Sequence, residues 1–276
     1  MSQPKFELPI PAVKYCILSF PQPNILLVEL NRAKELNCVN LEGHAELDAI
    51  WTWLDEEPSL VCGIITGKGR SFCAGADLKE WNSHNQGGKK RILPASGFGG
   101  LSRRNGRKPV IAAVNGICYG GGFEAAVNCD LLVASPKATF SLPEVKIGVV
   151  ALAGALPRLI RTVGKPRAME MALTGRAITA AEGMEWGLVN KIVGNGEDEV
   201  VKVAIDYAKM IAANSPDAVI VTREGVKMGW EGVGAEDATR QTADTWAARL
   251  HAGANMKEGV QSFVEKRKPR WTPARL

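Results

Sequence analysis

The chain has 276 residues, 46% of them hydrophobic and 23% charged, with a net charge of +5. That balance suits one large globular domain, or a domain plus an appendage, and the basicity is too mild to argue for nucleic acid and suits an anionic small ligand equally well. The six cysteines form no CxxC pair, the three histidines show no metal-ligand spacing, and no apolar stretch approaches the roughly 18 residues of a membrane span, so a disulfide scaffold, a metal site and a transmembrane protein are not indicated.

Residues 1–12 are proline-rich and read as a loose arm, without the features of a targeting signal. Ile25 to Leu30 reads as a strand, Asn31 to Asn40 as a polar turn, and Leu41 to Leu54 as a helix whose Leu47, Ile50, Trp51 and Leu54 recur at helical spacing. Val61 to Thr66 is a second apolar strand. The order strand, helix, strand favours an α/β arrangement. Gly63 to Lys68 falls one residue short of a phosphate loop, and no Ser or Thr follows its lysine.

Ser71 to Trp81, SFCAGADLKEW, places small residues before Asp77, after which a helix can begin. Small side chains there leave backbone N–H groups open to a ligand. The same pattern also fits a plain turn with Asp77 as the cap. Asn82 to Gly106 reads as a long loop with a Lys-Lys-Arg cluster at 89–91 and glycines flanking Phe98. It is either a lid with Phe98 as an apolar wedge or a mobile surface loop.

Lys108 to Asp130 is the most informative stretch. Val110 to Val114 is an apolar run bounded by Pro109 and Asn115-Gly116, the pattern of a fully buried strand. Gly120, Gly121 and Gly122 then lead into a helix that carries Glu124 in its first turn. Glycines at that place let main-chain N–H groups approach a ligand, and the helix end adds positive partial charge. The run also fits a dinucleotide GxGxxA pattern, but the next strand, Leu131 to Ala134, ends without the acid that a ribose requires. Pro143 then sets Glu144 on a rigid turn after the extended run Ala138 to Leu142. Two carboxylates near one anion-binding backbone would make an acid–base pair, with pKa values pushed apart by their surroundings.

Four stretches together resemble the enoyl-CoA hydratase/isomerase family, the crotonase superfamily: NRAKELN at 31–37, SFCAGADLKEW at 71–81, KPVIAAVNGICYGGGFEAAVNCD at 108–130 and ATFSLPEVKIGVV at 138–150. LTGRAITAAEGMEWGLVNKIV at 173–193 and FVEKRKPRW at 263–271 extend the match over nearly the whole chain. GFGGL, GGFE and FSLPEVKIGVV also resemble the carnitinyl-CoA dehydratase branch. The resemblance implies an α/β fold, a crotonase-like spiral of β-β-α units, in residues 1–196, with a C-terminal helical trimerisation region in 197–276. It implies an acyl-CoA hydratase or dehydratase with no cofactor beyond the coenzyme A of its substrate. The N–H groups of Ala76 and Gly121 would form the oxyanion hole. Glu124 would hold and deprotonate the water attacking Cβ, and Glu144 would protonate Cα. Lys34, Glu35, Leu36, Ala74, Asp77, Leu78, Lys79, Trp81, Gly120 and Phe263 would contact CoA or the acyl group. An isomerase or thioester hydrolase on the same fold, and a non-catalytic CoA-binding scaffold, are the competing readings. The sequence departs from the family at ALAGA, 151–155, where many hydratases read PGAGG, so that an N–H near the water falls to Leu152.

Past Val193 the composition turns helical: Glu197 to Ala213, with a stripe of Val200, Val203, Ala204 and Tyr207, then Ala218 to Trp230, Ala235 to His251 and Asn255 to Arg267. A homotrimer or dimer of trimers is expected. The ending Ala274-Arg275-Leu276 has the small, basic, leucine chemistry of a peroxisomal address on an exposed tail, if the source is a eukaryote; otherwise a cytoplasmic protein is expected.

Overall fold

The structure, a computed structural model, describes residues 5–87, 92–194 and 198–276. The Lys89-Lys90-Arg91 cluster and the expected domain boundary at 196/197 lie outside the described residues. In chain order the elements are β1 (Cys16–Gln22), β2 (Ile25–Leu30), α1 (Leu41–Glu56), β3 (Cys62–Gly67), β4 (Ser71–Cys73), α2 (Leu78–Gln86), β5 (Val110–Val114), β6 (Ile117–Tyr119) and α3 (Gly121–Val127). There follow β7 (Leu131–Ala134), β8 (Thr139–Ser141), α4 (Ala155–Val163), α5 (Lys165–Thr174), β9 (Ile178–Thr179), α6 (Ala180–Glu185), β10 (Lys191–Ile192), α7 (Glu199–Ala212), α8 (Pro216–Trp230), α9 (Ala235–Ala252) and α10 (Ala254–Val264).

Two sheets share these strands. The larger runs β1-β2-β3-β5-β7-β10 and the smaller β4-β6-β8-β9. From β3 onward the chain gives one strand to the large sheet and the next to the small one: β3 then β4, β5 then β6, β7 then β8. This is the spiral of β-β-α units. The central strands β3 and β5 of the large sheet are buried on both faces. Val110, Ala112 and Val114 of β5 join the core under α1, while Ile111 and Ala113 join Val200, Ala204 and Ala208 of α7. A strand sandwiched in this way needs a continuous apolar run instead of alternation. The helix α7 therefore packs on the sheet itself, and α10 lies against α8 and α9.

Three expectations need correction. The proline-rich arm is not loose from residue 5 onward: the Phe6 ring lies 4.7 Å from Phe20 and 5.1 Å from Trp53, and Glu57 accepts the N–H of Leu8 at 2.8 Å. One aromatic plus one buried carboxylate is enough to tie it down. The stretch 82–106 is not a single loop. The helix α2 runs on to Gln86, and Phe98–Gly100 form a buried 3₁₀ turn, with Phe98 only 4% exposed. The C-terminal tail, expected to be extended and exposed, carries no helix or strand after residue 267 and does not stand free of the body. Trp271 donates to the carbonyl of Ala213, Asp217 accepts the N–H of Arg275, and Arg107 donates to the carbonyl oxygen of Leu276.

All six thiols are unbridged. No helix among the described residues is long and apolar enough to cross a membrane.

Candidate active site

The small sheet builds the site. Its strands β4, β6 and β8 are mutually parallel, so their C-terminal ends lie side by side. The chain leaves those ends as Ala74-Gly75-Ala76, as Gly120-Gly121 and as Leu142-Pro143-Glu144. Ligand sites favour such edges because the strands end there together and the following turns present their backbone.

Ala76 is aimed by a ladder. The segment 36–39 runs beside 74–77, with Ala74 N–H donating to Leu36 O at 3.0 Å, Val39 N–H to Gly75 O at 2.9 Å and Asp77 N–H to Val39 O at 3.2 Å. Main-chain groups alternate sides along an extended segment, so the N–H of Ala76 points away from Val39. On that far side lies the second glycine turn: a Cβ built on Gly75 would stand 3.4 Å from the nitrogen of Gly121 and 3.7 Å from the Cα of Gly120. Gly121 opens α3, where N–H groups have no partner inside the helix. Neither this N–H nor that of Ala76 has an acceptor among the described residues. Two free donors side by side are the requirement for holding an oxyanion.

Gly120 stands at φ +53 with its Cα turned to Glu144; a side chain there would put its Cβ 3.3 Å from Glu144 Oε1. Both the backbone angle and the close approach call for glycine. The carbonyl of the same residue accepts the N–H of Glu124 at 2.9 Å. The backbone of Glu124 and the carboxyl of Glu144 therefore both lie against one glycine, and the charge of Glu144 is felt at Glu124.

Glu124 is 4% exposed. Burial raises its pKa to about 7, and the charge of Glu144 adds to the rise. The N–H groups of Ala155, Ala153 and Gly154 pull the other way, that of Ala155 at 3.0 Å from Oε2. Burial also raises Glu144, and its buried Oε2 has no partner among the described residues. The environments thus push both acids upward, rather than apart as expected, because burial leads in each case. Both carboxyls therefore hold their protons to higher pH than an exposed glutamate does.

The remaining expected residues divide. Lys34 and Glu35 lie exposed in the 3₁₀ turn Ala33–Glu35, which the ladder brings next to Ala74 and Leu36. Leu78 and Lys79 are exposed on the first turn of α2, and Trp81 is half-buried. Asp77 uses both carboxylate oxygens on the chain itself, capping α2 through the N–H of Glu80 and pairing with Arg32 at 2.9 Å. Leu152 turns its side chain to solvent at 82% exposed, so the change from glycine adds no bulk beside Glu124. Phe263 is 85% exposed on α10 and takes no part in core packing.

Sequence reasoning missed what holds Phe98. Its ring stacks edge-on to His44 of α1 at 4.6 Å, His44 Nδ1 accepts the N–H of Gly99 at 3.0 Å, and the ring lies flat against Gly121. Phe98 is a fixed support under the Gly120-Gly121 turn, neither a wedge on hinges nor a mobile loop. A lone histidine on an apolar helix gives no signal of such a contact 55 positions away.

Residues 21–274 match the model of a family described as enoyl-CoA hydratase/isomerase. The mevalonyl-coenzyme A hydratase of Aspergillus fumigatus is 52% identical, covering 96% of this chain and 98% of its own length. The mitochondrial enoyl-CoA hydratase of Pongo abelii is 38% identical over 88% of this chain and 81% of its own. Among solved structures, the enoyl-CoA hydratase of Mycobacterium tuberculosis superimposes with a TM-score of 0.85 at 34% identity, covering 94% of this chain and 99% of that one. The chain belongs to the enoyl-CoA hydratase/isomerase family and has the crotonase fold. It is an enzyme of the hydratase, lyase-type kind, acting on an enoyl-CoA-like thioester.

Proposed function

We propose that this enzyme interconverts a 2-enoyl-CoA and its 3-hydroxyacyl-CoA, with Ala76 and Gly121 as the oxyanion hole and Glu124 and Glu144 as the acid–base pair. The observation that carries this reading is two upward-shifted carboxylates flanking two unclaimed N–H groups. The thioester oxygen accepts both N–H bonds and takes up negative charge as water adds to Cβ. Glu124 receives the proton of that water, and Glu144 gives its own proton to Cα. The pair ends with the same single proton on the other carboxyl, and elimination runs the same path backwards. Coenzyme A enters only as part of the substrate.

Within that class we infer a short, branched, hydroxylated acyl group of the mevalonyl kind. What supports it is similarity: two fungal relatives named as mevalonyl-coenzyme A hydratases are 52% identical, against 35–38% for relatives named only as enoyl-CoA hydratases. The test is turnover of crotonoyl-CoA beside the dehydrated form of mevalonyl-CoA. Loss of the conjugated enoyl absorbance without release of free CoA is expected, with the branched substrate favoured. A double-bond shift without water uptake, or thiol release, would replace the hydratase reading with an isomerase or a thioester hydrolase.

The exposed apolar residues Val226, Val260, Phe263 and Val264 on α8 and α10 support self-association through the C-terminal helices. Sedimentation equilibrium is expected to give three or six times the 29.6 kDa protomer mass. A stable, active monomer at micromolar concentration would dismiss the trimer.

A further inference from the structure

Glu124 is held by a run of main chain 31 positions away. The N–H of Ala155 donates to Glu124 Oε2 at 3.0 Å, and the neighbouring N–H groups of Ala153 and Gly154 favour the charged form of that carboxyl. Successive N–H groups turned to one side make an anion-binding concavity, and Gly154, at φ +122 and ψ 0, provides the bend. A peptide unit is planar and trans, so its C=O and N–H point in opposite directions. Whatever grips the carbonyl therefore sets the aim of the N–H.

Two side chains grip those carbonyls. Ser102 Oγ, on a fully buried residue, donates to the carbonyl of Ala153 at 2.8 Å and so aims the N–H of Gly154. Arg158 Nη1 donates to the carbonyl of Gly154 at 3.1 Å and so aims the N–H of Ala155. Both are anchored elsewhere. Ser102 Oγ accepts the N–H of Phe98 at 2.7 Å, which joins it to the ring beneath Gly121. Arg158 Nε donates to Asn128 Oδ1 at 2.7 Å, and its guanidinium lies 5.8 Å from the ring centroid of Trp230 and 3.9 Å from Glu231.

We propose that Ser102 and Arg158 are positioning residues for Glu124, each holding the far side of a peptide whose N–H favours the charged carboxylate. The inference rests on the reading of Glu124 as half of the acid–base pair. Arg158 also acts through its charge. The charged and titratable groups around Glu124 are Glu144 from the turn after β8 and Arg158 of α4, with Arg103, Arg161 and Glu231 facing Arg158. Cys73 of β4 and Cys118 of β6 lie beneath α3 as thiols that burial keeps neutral. N–H donors and a nearby cation both favour the anion, so loosening them moves the carboxyl pKa further up.

The experiment is the pH dependence of kcat and KM for hydration in Ser102→Ala, Arg158→Gln and Arg158→Lys, with Glu124→Gln alongside and the Glu124 carboxyl followed by carbon-13 NMR. The limb near pH 7 is expected to move up by about half to one pH unit in the first two, the size of one or two lost hydrogen bonds. kcat should fall by about tenfold with KM within twofold, and Arg158→Lys should lie between. If Arg158→Gln does not fold, Ser102→Ala and its carboxyl titration still read the adjacent peptide. An unmoved limb and carboxyl titration, beside an inactive Glu124→Gln, would overturn the positioning role and leave the acid–base reading intact. An active Glu124→Gln would remove both.

Discussion

Glu124→Gln and Glu144→Gln are each expected to lower the hydration rate by at least about 100-fold, the usual share of a general acid or base. The two amides keep the shape of the site. In Glu124→Gln the amide oxygen can still accept the N–H of Ala155, and the free N–H groups of Ala76 and Gly121 are untouched, so thioester binding should persist while turnover is lost. Stability separates this from a structural defect. The folded pKa of Glu124 is raised from 4.5 to about 7. Between those values the folded chain binds more protons than the unfolded one, so this group's contribution to stability falls as pH rises from 4.5 to about 7. The loss is at most about 3 kcal/mol and is complete above about pH 7. Glu124→Gln does not ionise and escapes that loss. Above about pH 7 the inactive variant should therefore melt at the same temperature as the parent or higher, the reverse of what a broken fold would give. Near-native turnover in either variant, measured by enoyl absorbance, would withdraw that residue from the chemistry.

Legibility in the sequence followed the range of the interactions. The run Val110 to Val114 could be read because both of its faces are buried, so that all five residues are apolar and the turn signals on either side stand out. The glycine turn and the helix carrying Glu124 were readable for a similar reason, since backbone geometry and close approach both demand glycine there. β1 was not anticipated. It is an antiparallel edge strand, half-buried and interrupted between Ser19 and Gln22, where the register shifts around Phe20-Pro21, and its sequence shows no clean period. The cradle at 153–155 was obscured because two of the family's glycine positions carry other residues, while the N–H groups that matter belong to every amino acid but proline. Ser102 and Arg158 are beyond sequence reasoning altogether. Their partners on the cradle are backbone carbonyls, and a carbonyl leaves no trace in the identity of the residue that carries it.

Gly121→Ala is expected to cost about 100- to 1,000-fold in kcat, the range for losing one oxyanion donor. The backbone at Gly121 is ordinary α-helix, so alanine is not excluded by conformation. The obstacle is Phe98, whose ring atoms would stand 2.2, 2.3 and 2.7 Å from the new Cβ. That ring has little room to yield. His44 stacks against it, the neighbouring Gly99 N–H is fixed to His44, and its own N–H is fixed to Ser102. The smaller displacement is then a shift of the first turn of α3, which takes the Gly121 N–H out of line with that of Ala76. A second change at Phe98 should relieve it. Phe98→Leu removes ring atoms from the clash at less cost than the about 3–5 kcal/mol of Phe→Ala. The double variant Gly121→Ala with Phe98→Leu should recover at least about tenfold over Gly121→Ala alone, a non-additivity expected only of residues in contact. Thermal melts run beside the kinetics would show whether the single variant is folded. A folded Gly121→Ala enzyme with native kcat would refute the oxyanion role of this N–H, and a double variant no faster than the single one would refute the clash with Phe98 as the cause.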